Sequence, residues 1–412
     1  MRKSLLMGLC MVFLVVLVSS IVSAEVTLDE QWQKVNTNTL NLIVDDLGNT
    51  YGLVWTYDFI DNTYFIVKYD VDGNQLWNTP LPVDSNNYWT SMQIDSNGNV
   101  YVAGRRSDSR SIRAKLSSNG VLEWKKTGPI NFESRFVVQN DVPYLLRYSR
   151  AYPVIQHARF FLVNSVTGDV NKLFDFGYIG DDLRVYSRFL TATNSGDFYA
   201  LNYFYGGQVD RLIKFDVAGN ILWDNVLSQL SEYSFYSMDV DSQDNVYIVY
   251  DNLDGVNGMN LVKYDSNGNQ LWVKENVLSS AHVDENDNIF TFDMDDNVEK
   301  YNSDGVLLWE TLVPEPMLST LNALQAGTYN YNIYIGRAIS HNGDLLFHTI
   351  MHDDFAGSYV ESNIIKYNIL GECVCSDTFC NPVHDGTVCD GCNYVAAPVE
   401  VCGDGVDNDC DG

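Results

Sequence analysis

From about residue 30 to residue 372 the chain alternates apolar and polar positions in short runs, separated by clusters of Asp, Asn, Gly and Ser. A period of two predicts strands with one buried face, and the clusters predict tight turns. Two patterns recur in alternation along this stretch. The first is a turn leading into a strand with an aromatic at its second place. It reads Gly48-Asn49-Thr50-Tyr51, Gly98-Asn99-Val100-Tyr101, Gly196-Asp197-Phe198-Tyr199, Asp244-Asn245-Val246-Tyr247 and Asp287-Asn288-Ile289-Phe290. Weaker copies are Asp141-Val142-Pro143-Tyr144 and Gly343-Asp344-Leu345-Leu346. The mean period is about 49 residues, within the range of propeller repeats.

The second pattern is Lys-Tyr-Asp-x-x-Gly-Asn-x-Leu-Trp. It occupies 68–77, 214–223 (with Phe215) and 263–272, with looser copies at 300–309 and 115–124 and a degenerate one at 164–169. A seventh copy, Lys366-Tyr367-Asn368-Ile369-Leu370-Gly371, has no Trp and runs into Cys373. Asp-Gly and Asn-Gly supply the positive φ that hairpin turns require. The Trp at the strand end is a large apolar wedge for a neighbouring unit. About 49 residues suffice for a four-stranded antiparallel sheet, which cannot bury both faces alone, whereas seven arranged radially can. The fold class expected is therefore all-β: a seven-bladed β-propeller of four-stranded antiparallel blades over 25–372, followed by a small Cys-rich acidic tail over 373–412. Trp32 lies 45 residues before Trp77, one repeat early, and the seventh unit lacks its Trp strand. The segment around Trp32 is thus expected to pair into the seventh sheet, closing the ring and removing two exposed sheet edges.

The Asp-x-x-Gly-Asn-x-Leu-Trp segments resemble the repeats of secreted β-propellers of the quinoprotein-like and seven-bladed bacterial groups, over residues from about 30 to 372. The resemblance speaks to fold and hardly to function, because propellers host many activities. Its quinoprotein branch implies a redox enzyme with pyrroloquinoline quinone and calcium. Those enzymes place a vicinal Cys-Cys disulfide over the cofactor, and residues 25–372 contain no cysteine.

Composition narrows the function classes. The 412 residues are 46% hydrophobic and 19% charged, enough apolar material to fill a core. Acidic residues outnumber basic ones 54 to 25, for a net charge of −29. That charge argues against nucleic acid or an anionic membrane as partner, since phosphate binding needs clustered Lys and Arg. Residues 1–24 read as a signal peptide: Arg2 and Lys3, an apolar run from Leu5 to Val22, then Val22-Ser23-Ala24 before the polar Glu25. An uncleaved anchor is the competing reading, as 18 apolar residues just reach across a bilayer; the small-residue exit favours cleavage. The expected address is secreted, extracellular or cell-surface attached, with no membrane insertion after cleavage.

No Gly-x-Ser-x-Gly elbow and no phosphate-binding glycine loop is present. His348 and His352, followed by Asp353 and Asp354, lack the Glu of the metalloprotease motif and sit in a strand context. No catalytic residue is assigned. The stretch from Glu310 to Asn342 is the longest connection between recognisable strands, read either as a binding loop or as strands of the seventh blade.

The tail differs in kind. From Gly371 it has no Lys or Arg, nine acidic residues, and the cysteines Cys373, Cys375, Cys380, Cys389, Cys392, Cys402 and Cys410. In an exported chain these read as a disulfide framework; Cys389-x-x-Cys392 alone is half a zinc site without a matching pair. The last eleven residues read Cys402-Gly403-Asp404-Gly405-Val406-Asp407-Asn408-Asp409-Cys410-Asp411-Gly412. Closely spaced Asp and Asn on a turning backbone suit a hard cation that needs six to eight oxygens. The spacing is not that of an EF-hand. The segment resembles short Cys-Asp-Gly-x-Asp-Asn-Asp-Cys-Asp-Gly repeats near the C-termini of bacterial and archaeal surface proteins, a family described as metal-binding and named for copper. The resemblance implies Asp404, Asp407, Asn408, Asp409 and Asp411 as ligands; their oxygen chemistry suits Ca2+ better than copper. An acidic disulfide-bonded spacer without a tightly held ion is the plainer alternative. The expected function is a non-enzymatic binding, adhesion or structural scaffold, monomeric, with a surface protein or glycan as partner; the alternative is a propeller enzyme, quinoprotein-like or sugar-active, with its site in the central channel.

Overall fold

A computed structural model describes residues 27–35, 39–57, 62–82, 87–130, 132–149, 158–175, 185–204, 209–227, 235–251, 259–277, 280–292, 297–312, 331–339, 345–353, 358–370, 373–376, 379–382, 387–390 and 393–396. Among them there is no helix, and seven four-stranded antiparallel sheets form a ring. The first strand, β1 (Thr27–Val35), belongs to the last sheet. The first blade is β2 (Thr39–Val44), β3 (Thr50–Tyr57), β4 (Asn62–Tyr69) and β5 (Gln75–Pro80). The second is β6 (Asn87–Ile94), β7 (Val100–Arg106), β8 (Arg110–Leu116) and β9 (Leu122–Ile130). The third is β10 (Phe132–Gln139), β11 (Val142–Ser149), β12 (Ala158–Val163) and β13 (Val170–Asp175). The fourth is β14 (Val185–Ala192), β15 (Phe198–Phe204), β16 (Val209–Phe215) and β17 (Ile221–Val226). The fifth is β18 (Phe235–Val240), β19 (Val246–Asp251), β20 (Met259–Tyr264) and β21 (Gln270–Val277). The sixth is β22 (Ser280–Val283), β23 (Ile289–Phe292), β24 (Asn297–Tyr301) and β25 (Leu307–Leu312).

The seventh blade has the order β1-β28-β27-β26, from β26 (Tyr331–Ile339), β27 (Leu345–Asp353) and β28 (Ser358–Leu370). Trp32 pairs with Lys366 and Thr27 with Leu370 in an antiparallel ladder. The strand expected from the Trp32 spacing therefore completes the seventh sheet, and both ends of the ring are hydrogen-bonded. The aromatic run beginning at Tyr331 is β26, the innermost strand of that blade, rather than a loop. Beyond the ring, β29 (Cys373–Ser376) pairs with β30 (Phe379–Pro382), with Cys375 opposite Cys380, and β31 (Thr387–Asp390) pairs with β32 (Asn393–Ala396).

The apolar core lies between blades. Tyr51, Leu53 and Ile66 of the first blade pack with Val100, Val102 and Ile112 of the second. Leu42, Val54 and Val67 on the other face of the first blade meet Trp32, Leu346 and Ile364 of the seventh. Four of the joints also carry a repeated staple. The Trp of one outermost strand lies against the turn glycine of the next blade and donates its indole N–H to that turn. Trp77 Nε1 donates to Ser118 O at 3.0 Å, and a Cβ on Gly120 would sit 2.7 Å from the Trp77 ring. Trp124 donates to Ser165 O and Trp223 to Ser266 O in the same way. Phe174 takes the place of the missing Trp at Gly219. Trp32 donates to Val71 O at 2.9 Å and packs on Gly73, so the joint between seventh and first blades uses the same device.

The joint between sixth and seventh blades lacks the acceptor altogether. Trp309 of the sixth blade is buried, and its Nε1 has no hydrogen-bond partner. Elsewhere the acceptor is a turn joining third and fourth strands. In the seventh blade those two strands, β28 and β1, come from opposite ends of the chain, so no such turn exists.

Candidate functional site

Antiparallel order places two kinds of connection at opposite ends of every blade. The turns from first to second and from third to fourth strand share one rim, here the turn rim. The links from second to third strand and from blade to blade share the other, the connection rim. Polar and titratable side chains stand on both rims and along the inner strands that line the channel.

On the turn rim the recurring Asp-x-x-Gly-Asn is a closed hydrogen-bond unit. Asp45 Oδ1 accepts from the backbone N–H of Leu47 and Asn49, and Oδ2 accepts from Asn49 Nδ2 and the Tyr51 hydroxyl. Lys68 Nζ lies 3.5 Å from the same carboxylate and 4.6 Å from the Tyr51 ring centroid. Asp95 with Tyr101 repeats the carboxylate–phenol contact, and Asp241 with Tyr247 and Lys263 repeats the whole set. Burial, then the neighbouring carboxylate, pushes the phenols of Tyr51, Tyr101 and Tyr247 well above their ordinary range, so each stays a neutral donor. The side chain of Asp241 is only 1% exposed, a buried carboxylate held by its own turn and one lysine.

Three of these turns place an Asp where the others have Gly. Asp141, Asp244 and Asp287 have φ of 63°, 62° and 63°. A non-glycine residue there is strained by roughly 1–2 kcal/mol. In each case the carboxylate reaches the preceding blade. Asp141 accepts from Ser96 N at 2.7 Å and Ser96 Oγ at 2.8 Å, Asp287 likewise from Ser242, and Asp244 from Ser195 N. The strained positions are inter-blade clamps. A recess of about 490 Å³ opens among the inner turns of the first three blades, lined by Asp45, Asp46, Asp95, Asp141 and Lys68 among others. Asp45, Asp95 and Asp141 already accept two or more hydrogen bonds each, so this cluster of carboxylates serves the ring's own construction.

Along the channel, Asp239 of β18 and His282 of β22 lie 3.8 Å apart, with side chains 31% and 36% exposed. Asp239 also accepts from Val283 N and Val240 N. Burial raises its pKa, opposed first by His282 and then by those two N–H groups. A carboxyl group that holds its proton more readily, close to an imidazole, is a pair of the kind that general acid–base chemistry uses.

Toward the connection rim the picture reverses. Ser111 near the start of β8, Ser134 near the start of β10, Arg147 near the end of β11 and Asn202 in β15 are all buried. Ser111 Oγ, Ser134 Oγ, Arg147 Nε and both amide atoms of Asn202 have no hydrogen-bond partner. Thr50, just after a turn, is a counterexample on the turn side, as is Trp309 at the seam. Sequence reasoning passed over these residues. A signal was available: residues 101–175 carry 12 of the 25 Lys and Arg and only six Asp and Glu, a local charge of +6 in a chain of −29.

The expected metal ligands Asp404, Asp407, Asn408, Asp409 and Asp411 lie outside the described residues, as does Asp354. His348 and His352 both lie on β27, opposite Gly336 and Asn332 of β26. Among the described residues no group of three or more His, Cys, Asp or Glu is arranged to hold a metal ion. Asp70 is a turn residue whose carboxylate accepts from Asp72 N, Asn74 N and Asn74 Nδ2.

Comparison with known proteins places the fold and stops there. No family model matches the chain, and no curated protein matches it. The crystal structure of the polysaccharide lyase Uly1 superposes with a TM-score of 0.54 at 10% identity, covering 80% of this chain and 90% of that one. Prolyl oligopeptidase B from Galerina marginata, solved with a 35-residue hydrolysis and macrocyclization substrate as its H698A mutant, superposes with a TM-score of 0.46 at 10% identity, covering 77% of this chain and 46% of that one. At 10% identity the likeness to Uly1 concerns architecture alone, and the seven sheets of the ring make the chain a seven-bladed β-propeller.

Proposed function

We propose that this chain is an exported, non-enzymatic β-propeller that serves as a binding, adhesion or structural scaffold at the cell surface, with a protein or glycan of that surface as partner. One observation carries this reading: the most repeated chemistry of the sequence, the acidic turns with their Tyr and Lys, is consumed in joining strands and blades. The leader at 1–24 and the confinement of the mature chain's cysteines to the tail support the exported address. In the tail, Asp404, Asp407, Asn408, Asp409 and Asp411 would hold a divalent cation. Four carboxylates and one amide are an oxygen-only donor set, which fits calcium and would fix the turns of an otherwise self-repelling segment.

The direct experiment is a panel of glycans, cell-wall fragments and surface proteins presented to the mature chain. Saturable binding without turnover supports the scaffold; turnover of any panel member overturns it. For the tail, limited proteolysis with calcium or chelator decides: cleavage after residue 396 that ignores calcium removes the metal part alone.

A second reading has one observation in its favour. The Asp239–His282 pair stands on the inner strands, where an enzyme of this architecture would hold a proton-transfer site. Turnover abolished by Asp239→Asn and by His282→Gln, with the fold intact, would establish it.

A further inference from the structure

Arg147 is a buried cation without a described counter-charge. Its residue is 6% exposed. Burial, and after it the nearby Arg113 and Arg159 guanidinium groups, lowers its pKa to about 10. Its neighbours have their own partners: Arg159 Nε is 2.9 Å from Asp175, and Arg113 donates to Gly168 O. The flank of Arg147 is held by the ring of Phe161, 4.6 Å from the guanidinium carbon, which leaves the charge uncancelled.

Two hydroxyls face the same place. Ser134 pairs directly with Arg147 across β10 and β11, so both project from one face of the third blade. Ser111 comes from the second blade. A Cβ built on Gly128 would lie 2.2 Å from Ser111 Oγ and 3.2 Å from Arg147 Nη2, so the two side chains converge on the glycine. Ser111 and Ser134 are each 1% exposed, and neither hydroxyl has a hydrogen-bond partner. A guanidinium with an unpartnered Nε and two unpartnered hydroxyls therefore belong to one joint, within the segment of local charge +6. A buried charge is stable only when paired, and a buried donor left unmade costs about 1–3 kcal/mol.

We propose that the joint between second and third blades is a binding site for a small monovalent anion of chloride size, held by Arg147 with the hydroxyls of Ser111 and Ser134. All three groups can donate to such an anion, and the guanidinium can only donate. Bulky anions are excluded by the near-complete burial. The site is a structural ligand site, and it stands whether or not the scaffold reading does.

The test is thermal unfolding of the mature chain at constant ionic strength, with chloride replacing gluconate. Wild-type Tm is expected to rise by about 2 °C for each tenfold increase in chloride above saturation onset. Arg147→Met keeps the length of the side chain and removes the charge. It is expected to abolish the chloride slope while unfolding at or above the wild-type temperature in gluconate, because an uncompensated buried charge is gone. If that variant does not fold, Ser111→Ala with Ser134→Ala carries the test by lowering the slope. In bromide-soaked crystals an anomalous peak is expected within about 3.5 Å of Arg147 Nε. A wild-type Tm indifferent to chloride, or a slope equal in wild type and both variants, overturns the proposal.

Discussion

The turn rim and the connection rim are built by the same seven sheets and treat polar groups in opposite ways. On the turn rim a carboxylate is met by two backbone N–H groups, an amide, a phenol and often a lysine, as at Asp241. Toward the connection rim, Ser111, Ser134, Arg147 and Asn202 are buried with polar atoms unmet. Regularity follows the same line. All but one of the described turns are five or six residues long, the β10–β11 turn having two, whereas the links on the other rim run from one residue between β9 and β10 to 18 between β25 and β26. A rim that satisfies itself locally can be copied blade after blade; a rim that leaves groups unmet is where each blade differs and where a ligand has something to bind.

The sharpest test of the turn rim is its staple. Trp77→Ala is expected to lower stability by about 3–5 kcal/mol, read from urea unfolding, since it removes a large ring from an inter-blade joint and strands the Ser118 carbonyl. Asp241→Ala comes next, at about 3 kcal/mol, because it leaves Lys263 and the Tyr247 hydroxyl without their buried acceptor. The equivalent Asp265→Ala on an exposed outer turn is expected to cost about 1 kcal/mol. Equal losses at 241 and 265 would break the claim that burial, not turn geometry, gives the inner turns their weight.

The opposite sign is expected on the other side. Asn202→Leu replaces a fully buried amide with no partners and should raise stability by about 1 kcal/mol in the same assay. A loss there would erase the contrast between rims. The smallest effect is in acid. The amides of Asn74 and Asn220 hold the carboxyls of Asp70 and Asp216 below their ordinary range. Such groups stabilise the fold above the unfolded pKa, near 3.9, and lose that contribution as pH falls through the lower folded value. The double variant Asp70→Asn, Asp216→Asn should therefore show a shallower acid limb below about pH 4, followed by tyrosine and tryptophan fluorescence.

Legibility in the sequence divides along the same boundary. The turns, the Tyr and Trp positions and the count of blades depend on residues within about ten places of one another, and a repeat displays them blade after blade. Trp32 was readable too, because its spacing from Trp77 points to the vacant strand of the seventh unit, where it pairs with Lys366. Phe174 was not readable as the stand-in for a Trp, since its role appears only when the next blade's Gly219 is laid against it. Nor was the second use of Asp141, Asp244 and Asp287. Their spacing marks them as turn residues, and only adjacency of blades brings them to Ser96, Ser195 and Ser242. Arg147, Ser111 and Ser134 come from separate parts of the chain and meet only in space. The acidic motif at 402–412 was read from the sequence and lies outside the described residues.

The seam has a mechanical consequence. Thr27 and Leu370 are register partners at the same end of the β1–β28 ladder, and the strands run antiparallel from there. A pull between the chain's two ends would open that ladder like a zipper, one rung at a time, at low force. A pull on the C-terminal side against load applied at the far rim would instead cross the blade along its strands and meet many rungs together. The ring is thus easy to open by its own termini and stiff toward traction from the opposite rim.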